Sequence, residues 1–149
     1  MKTSQTLATN LSRAVTALSG LALLILAVYL PRITRFYMHV KPDAGASFPV
    51  VLVILYGILL MGACALVSLW ILLTLVRAGN VFTQPSVACL RVLSLACVFA
   101  GILFAVLGIW YYFSLAIAAA ALFLGLILHV LKNCLQEAVY IKQENDFTV

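Results

Sequence analysis

From Val92 to Leu131 the chain carries no Asp, Glu, Lys or Arg. One helix through that run would measure about 60 Å, twice the hydrocarbon thickness of a bilayer of about 30 Å. The run must therefore fold back on itself. The natural place is Gly108-Ile109-Trp110-Tyr111-Tyr112-Phe113-Ser114, where aromatic rings suit a membrane–water boundary and Ser114 is placed to cap a new helix. Spans over about 84–110 and 114–135 follow, joined by almost no loop. The run Ala116, Ala118, Ala119, Ala120 and Ala121 supplies small residues that let backbones approach closely in lipid, so it is expected to face protein.

Composition generalises the point. Of 149 residues, 66% are hydrophobic and 9% charged, against about 45–50% and 25% in soluble domains. Too little polar surface remains to coat a globule. The reading is an all-α membrane protein of four transmembrane helices, one domain over 1–149. The net charge of +5 is read as topology information rather than as a nucleic-acid footprint, and no direct nucleic-acid binding is expected.

The first span is expected over about 11–30, stopped by Pro31-Arg32, with a polar leader before it. No small-x-small site follows its apolar core, so it reads as an uncleaved span and not a signal peptide. A hydrophilic connection over 32–47 contains the turn signal Pro42-Asp43-Ala44-Gly45. The second span, about 48–78, has Pro49 in its first turn. Between it and the third lies a polar corner, 78–86. Gly79 and Asn80 are C-cap residue types, Thr83 is an N-cap type, Pro85 suits a first turn, and Phe82 is placed to staple onto Val87.

The last span does not end at the membrane surface. Over 130–149 the apolar positions Leu131, Cys134, Leu135, Ala138 and Val139 recur at helical spacing, with Lys132, Asn133, Gln136, Glu137, Gln143 and Glu144 on other faces. That pattern predicts an amphipathic extension into the cytoplasm. Basic residues set the orientation. Lys2, Arg13, Arg77, Arg91, Lys132 and Lys142 fall on the side of the termini, and Arg32, Arg35 and Lys41 on the other. Both termini are therefore expected in the cytoplasm.

Motifs for catalysis are missing from the sequence. There is no HExxH, Gly45-Ala46-Ser47 lacks the second glycine of a nucleophile elbow, and His39 with Asp43 reads as solvated loop. Cys64, Cys89, Cys97 and Cys134 have no ligand spacing and read as small packing residues. All four acids, Asp43, Glu137, Glu144 and Asp146, lie outside the predicted spans. Coupled transporters normally carry an ionisable relay inside the bilayer. His129 is the one ionisable group near the boundary and reads as interfacial. No enzyme, cofactor or metal is expected.

Two short signatures resemble a known family. The corner Gly79-x-Val81-Phe82-Thr83, followed after six residues by Leu90-Arg91, is one; the end Glu144-Asn145-Asp146-Phe147-Thr148-Val149 is the other. Together with the Leu30-Pro31 exit they resemble the bacterial group catalogued as domain of unknown function 2975, small four-span membrane proteins, over essentially the whole chain. Ser86 stands near where that group commonly has Asn, and Phe147 where it often has Leu. The resemblance implies a bacterial inner-membrane protein whose gene neighbours encode small helix-turn-helix DNA-binding regulators. The expected function is a regulatory interaction partner of such a regulator; the alternative is a transporter or channel subunit acting as a homo-oligomer. Arg77, Phe82, Thr83 and Arg91 at the corner and Glu137, Glu144, Asp146 and Phe147 in the tail are the candidate residues for docking a partner or lipid.

Overall fold

The computed structural model of the protein describes residues 2–40, 45 and 47–148, with the side chains of the first helix from Asn10 onward. The described residues form four helices: α1 (Lys2–Val40), α2 (Phe48–Arg77), α3 (Gln84–Leu107) and α4 (Tyr112–Phe147). Each is long and apolar enough to cross a membrane. The turn expected at Pro42-Asp43-Ala44-Gly45 lies outside the described residues except for Gly45, whose φ is 62°.

Pro31 does not stop α1. The helix starts at Lys2, inside the supposed leader, and runs through Pro31 to Val40. Proline removes the N–H that would have bonded the Ala27 carbonyl. The Tyr56 hydroxyl of α2 donates to that carbonyl instead, at 3.3 Å. One turn on, Thr34 Oγ1 donates to the Leu30 carbonyl at 2.8 Å. In a medium without water, such side-chain donors let a helix continue past proline. Tyr56→Phe is expected to cost about 0.6–1.7 kcal/mol, the range for polar contacts between membrane helices. Detergent unfolding of the variant beside wild type, followed by circular dichroism, measures the loss.

α2 begins at Phe48, with Ser47 at the N-cap position and Pro49 in its first turn. It ends in a two-bond C-cap at the corner. Gly79 takes φ 76°, its N–H donating to the Val76 carbonyl at 3.1 Å, and the Asn80 N–H reaches back to the Leu75 carbonyl at 3.0 Å. This is the Schellman pattern, which needs a left-handed residue at the position of Gly79.

α3 and α4 form the expected hairpin, joined by Gly108 to Tyr111. The cap differs from expectation. α4 starts at Tyr112 with Tyr111 at the N-cap position, and Ser114 lies within the first turn, its hydroxyl donating to the Tyr111 carbonyl at 2.8 Å. The hairpin is close-packed. A methyl group built on Gly101 would stand 2.8 Å from Leu122 Cγ, and one on Gly125 2.8 Å from Val98 Cγ2. Ser94 Oγ donates across the interface to the Gly125 carbonyl at 2.9 Å. The buried side of α4 follows Ser114, Ala118 and Gly125. Consecutive alanines cannot share one helical face, so Ala116, Ala119 and Ala120 are exposed, contrary to the expectation for that run.

Helices pack on their sequence neighbours, α1 on α2, α2 on α3 and, most extensively, α3 on α4. The four stand as an open row, not a closed bundle. Paired residues fix the register between neighbours. Arg13 lies over Trp70 and Arg35 over Phe48, Tyr56 reaches Ala27, Gly57 faces Leu103, and Ser94 meets Gly125. In this register Arg13, Trp70, Arg91 and the stretch from His129 to Lys132 lie at one depth. Arg32, Arg35, Phe48, Trp110 and Tyr112 lie at the other. From Arg13 to Arg32 along α1 is about 28 Å, the thickness of a hydrocarbon core of about 30 Å. Charged groups and amphipathic rings belong at the two faces of that layer.

Candidate functional site

The depth assignment leaves all four helices standing past the Arg13–Arg91 level on the side of the termini. α2 runs on from Ile71 to Arg77 and α3 starts at Gln84, so the corner stands about 10 Å clear of that level. α4 runs from Lys132 to Phe147, about 22 Å.

Hydroxyls hold the corner together. Thr83 has the extended backbone of an N-cap, φ −135° and ψ 155°, yet its side chain makes no capping bond to the helix. Thr83 Oγ1 donates to the Asn80 carbonyl at 2.9 Å, and Ser86 Oγ to the same oxygen at 3.1 Å. The Thr83 carbonyl meanwhile accepts the Ser86 N–H at 3.1 Å. Pro85 occupies the first turn of α3 as expected. Phe82 is 50% exposed, so half of its surface is free at the corner. Ser86, 0% exposed, escaped the sequence reading; a hydroxyl three residues after another at a helix start was the available signal.

α4 covers part of its own stripe. Val139 is 1% exposed, one of the two largest fully buried side chains, the other being Ser86. The α3–α4 register carries Val139 past the first turn of α3, level with the corner. Leu135 and Ala138 are half-buried there, while Leu131 and Cys134 remain exposed. Tyr140 and Ile141 are exposed, and Phe147 is 91% exposed.

The eight candidate residues thus separate by depth. Arg77, Phe82 and Thr83 lie at the corner; Glu137 is level with it but exposed on a face of α4 shared with Asn133, Gln136 and Tyr140. Arg91 does not join them; it is exposed at the bilayer boundary, about 10 Å below. Glu144, Asp146 and Phe147 stand beyond the corner on the free end of α4, all exposed. That end stays helical to Phe147 and so does not fold back as a strap onto Arg77 and Arg91. Cys64 and Cys134 are free and exposed, Cys89 and Cys97 free and half-buried; packing within the chain accounts for the second pair only. Among the described residues, no three His, Cys, Asp or Glu side chains gather as metal ligands.

The model of the family described as "Protein of unknown function (DUF2975)" matches residues 38–149. The chain belongs to the DUF2975 family. The match takes in the corner, the hairpin and the tail, and leaves most of α1, with its Pro31, outside the DUF2975 segment. No curated protein and no solved structure matches the chain. A multi-pass membrane protein of the DUF2975 family, all-helical with four candidate spans, is what the sequence and the fold jointly establish.

Proposed function

We propose that this protein is a non-catalytic docking platform of a bacterial inner membrane, holding a cytoplasmic DNA-binding regulator at the membrane surface. One observation carries the reading: the free end of α4, standing beyond the corner with Tyr140, Ile141 and Phe147 exposed. Glu137, Glu144 and Asp146 are exposed on the same segment. An apolar and acidic helix end in water favours a partner with an apolar cleft and basic surroundings. DNA-binding proteins carry that charge. Anionic head groups attract polybasic helices at about 1 kcal/mol per Lys or Arg; this end has Lys142 against Glu144 and Asp146 and gains nothing there. Six basic residues on the side of the termini against three on the other support a cytoplasmic location for both ends.

Deleting residues 140–149 is the test. The truncated protein is expected to insert as before, because the four spans are untouched, while the regulator moves from the membrane to the soluble fraction. Retention of the regulator by the truncated chain, equal to that of the full chain, sinks the docking role of the tail.

A further inference from the structure

At the membrane face opposite the termini the open row encloses a groove. A cavity of about 370 Å³ lies between α1 and the α3–α4 hairpin. Leu30, Thr34, Val51, Leu107 and Ser114, buried and drawn from all four helices, line its floor. Ile33 on α1 and Phe113 and Ile117 on α4, all exposed, form its walls. The rings of Tyr37 and Tyr111 meet edge-on across its outer end, centroids 5.4 Å apart, at the level where aromatic residues mark the head groups. The exposed wall residues on α1 and α4 place the opening between these two helices, on the side that faces the bilayer.

Chemistry narrows the occupant. The two floor hydroxyls are already spent: Thr34 donates to the Leu30 carbonyl and Ser114 to the Tyr111 carbonyl, both at 2.8 Å. Arg32 and Arg35 line a different recess, with Val28 and Pro31 on another face of α1, and no cation is among the described residues that line the groove. An apolar cavity of about 150 Å³ stays dry and takes up a hydrocarbon ring, and binding pockets begin at about 300 Å³. We propose that the groove binds one acyl chain of a phospholipid in the leaflet opposite the termini. Hydrocarbon is the medium at its mouth, and a chain end needs none of the hydrogen bonds the floor cannot give. The bound chain fills the gap between α1 and α4, helices whose backbones make no contact of their own.

The experiment uses the full-length protein in nanodiscs containing increasing fractions of a phosphatidylcholine with a diazirine in its acyl chain. Adducts are mapped after irradiation. Labelling at Ile33, Phe113 and Ile117 is expected to saturate as the photolipid fraction rises, while labelling of the exposed α2 face at Leu60 and Val67 rises in proportion. Ile117→Trp, which places a larger ring in the mouth, is expected to reduce groove labelling to the level of the α2 face. Val28→Trp, on the exposed opposite face of α1, leaves it unchanged. Groove labelling that rises in step with the α2 face in the wild-type protein overturns the proposal. So does the absence of lipid adducts at these residues in a protein that runs as a dimer from the nanodiscs, which would make a second copy the occupant.

Discussion

Gly125→Val is expected to separate α3 from α4 and to cost about 2–4 kcal/mol, the sum of overpacking and one lost interhelical hydrogen bond. The added Cβ would stand 2.8 Å from Val98 Cγ2, 3.3 Å from the Val98 backbone nitrogen and 3.4 Å from the Ser94 carbonyl. Val98 is β-branched and locked in one helical rotamer, so it cannot swing away. The backbone beneath it cannot yield without moving α3. Any such movement stretches the Ser94–Gly125 bond of 2.9 Å. Gly125→Ala should fall between, since the better helix propensity of alanine returns about 1 kcal/mol. Gly20 gives the control: nothing lies within 4 Å of a Cβ built there, so Gly20→Ala is expected to be neutral or stabilising. Unfolding in mixed micelles, followed by circular dichroism, ranks the four proteins. Wild-type stability of Gly125→Val would mean that α3 and α4 do not meet at this glycine.

The second large effect is at the corner. Gly79→Val is expected to lose about 2 kcal/mol or more, because an L-residue in the left-handed region costs about 1–2 kcal/mol and β-branching adds to it. No atom lies within 4 Å of a Cβ at Gly79, so the loss is purely one of backbone conformation. Gly79→Asn should therefore retain most of the stability, since Asn tolerates this C-cap geometry. Thr83→Val is the milder change. It removes the bond to the Asn80 carbonyl but leaves the one from Ser86, a net cost of about 0.5–1.5 kcal/mol. The order of losses, Val above Asn at 79 and above Val at 83, is what thermal or detergent unfolding checks. Equal losses for Gly79→Val and Gly79→Asn would contradict the Schellman cap.

Where the sequence carried a local signal, the structure is what those residues call for. The long charge-free run folds back within Gly108 to Tyr111, and Gly79 ends α2. Pro31 misled because its consequence depends on Tyr56, a partner on another helix that periodicity does not reveal. Ser114 misled because a serine near a helix start has two local options, and it bonds the Tyr111 carbonyl from inside the first turn. Arg77 and Arg91 looked like one cluster in sequence; α3 separates them in depth by about 10 Å. A stripe over 131–139 needs a cover, whether head groups, the protein's own corner or a partner. Part of it, Val139, is covered by the chain itself, and the surface left for a partner moves outward to Tyr140, Ile141 and Phe147. The acyl-chain groove had no sequence signal at all, since it exists only where four helix ends converge.

The central claim is that the end of α4 stands in the cytoplasm beyond the bilayer, free to be bound. Single-cysteine proteins test it directly: one retaining native Cys64, one retaining native Cys134, and one otherwise cysteine-free with Glu144→Cys. Each is treated with a membrane-impermeant maleimide in right-side-out and in inverted membrane vesicles. Cys64 is exposed on α2 between the two charged levels, about 9 Å inside the Trp70 level, and is expected to stay unlabelled in both. Cys134 and Glu144→Cys are expected to label in inverted vesicles alone. Labelling of Glu144→Cys from the right-side-out face, or its protection in both preparations, would contradict the account.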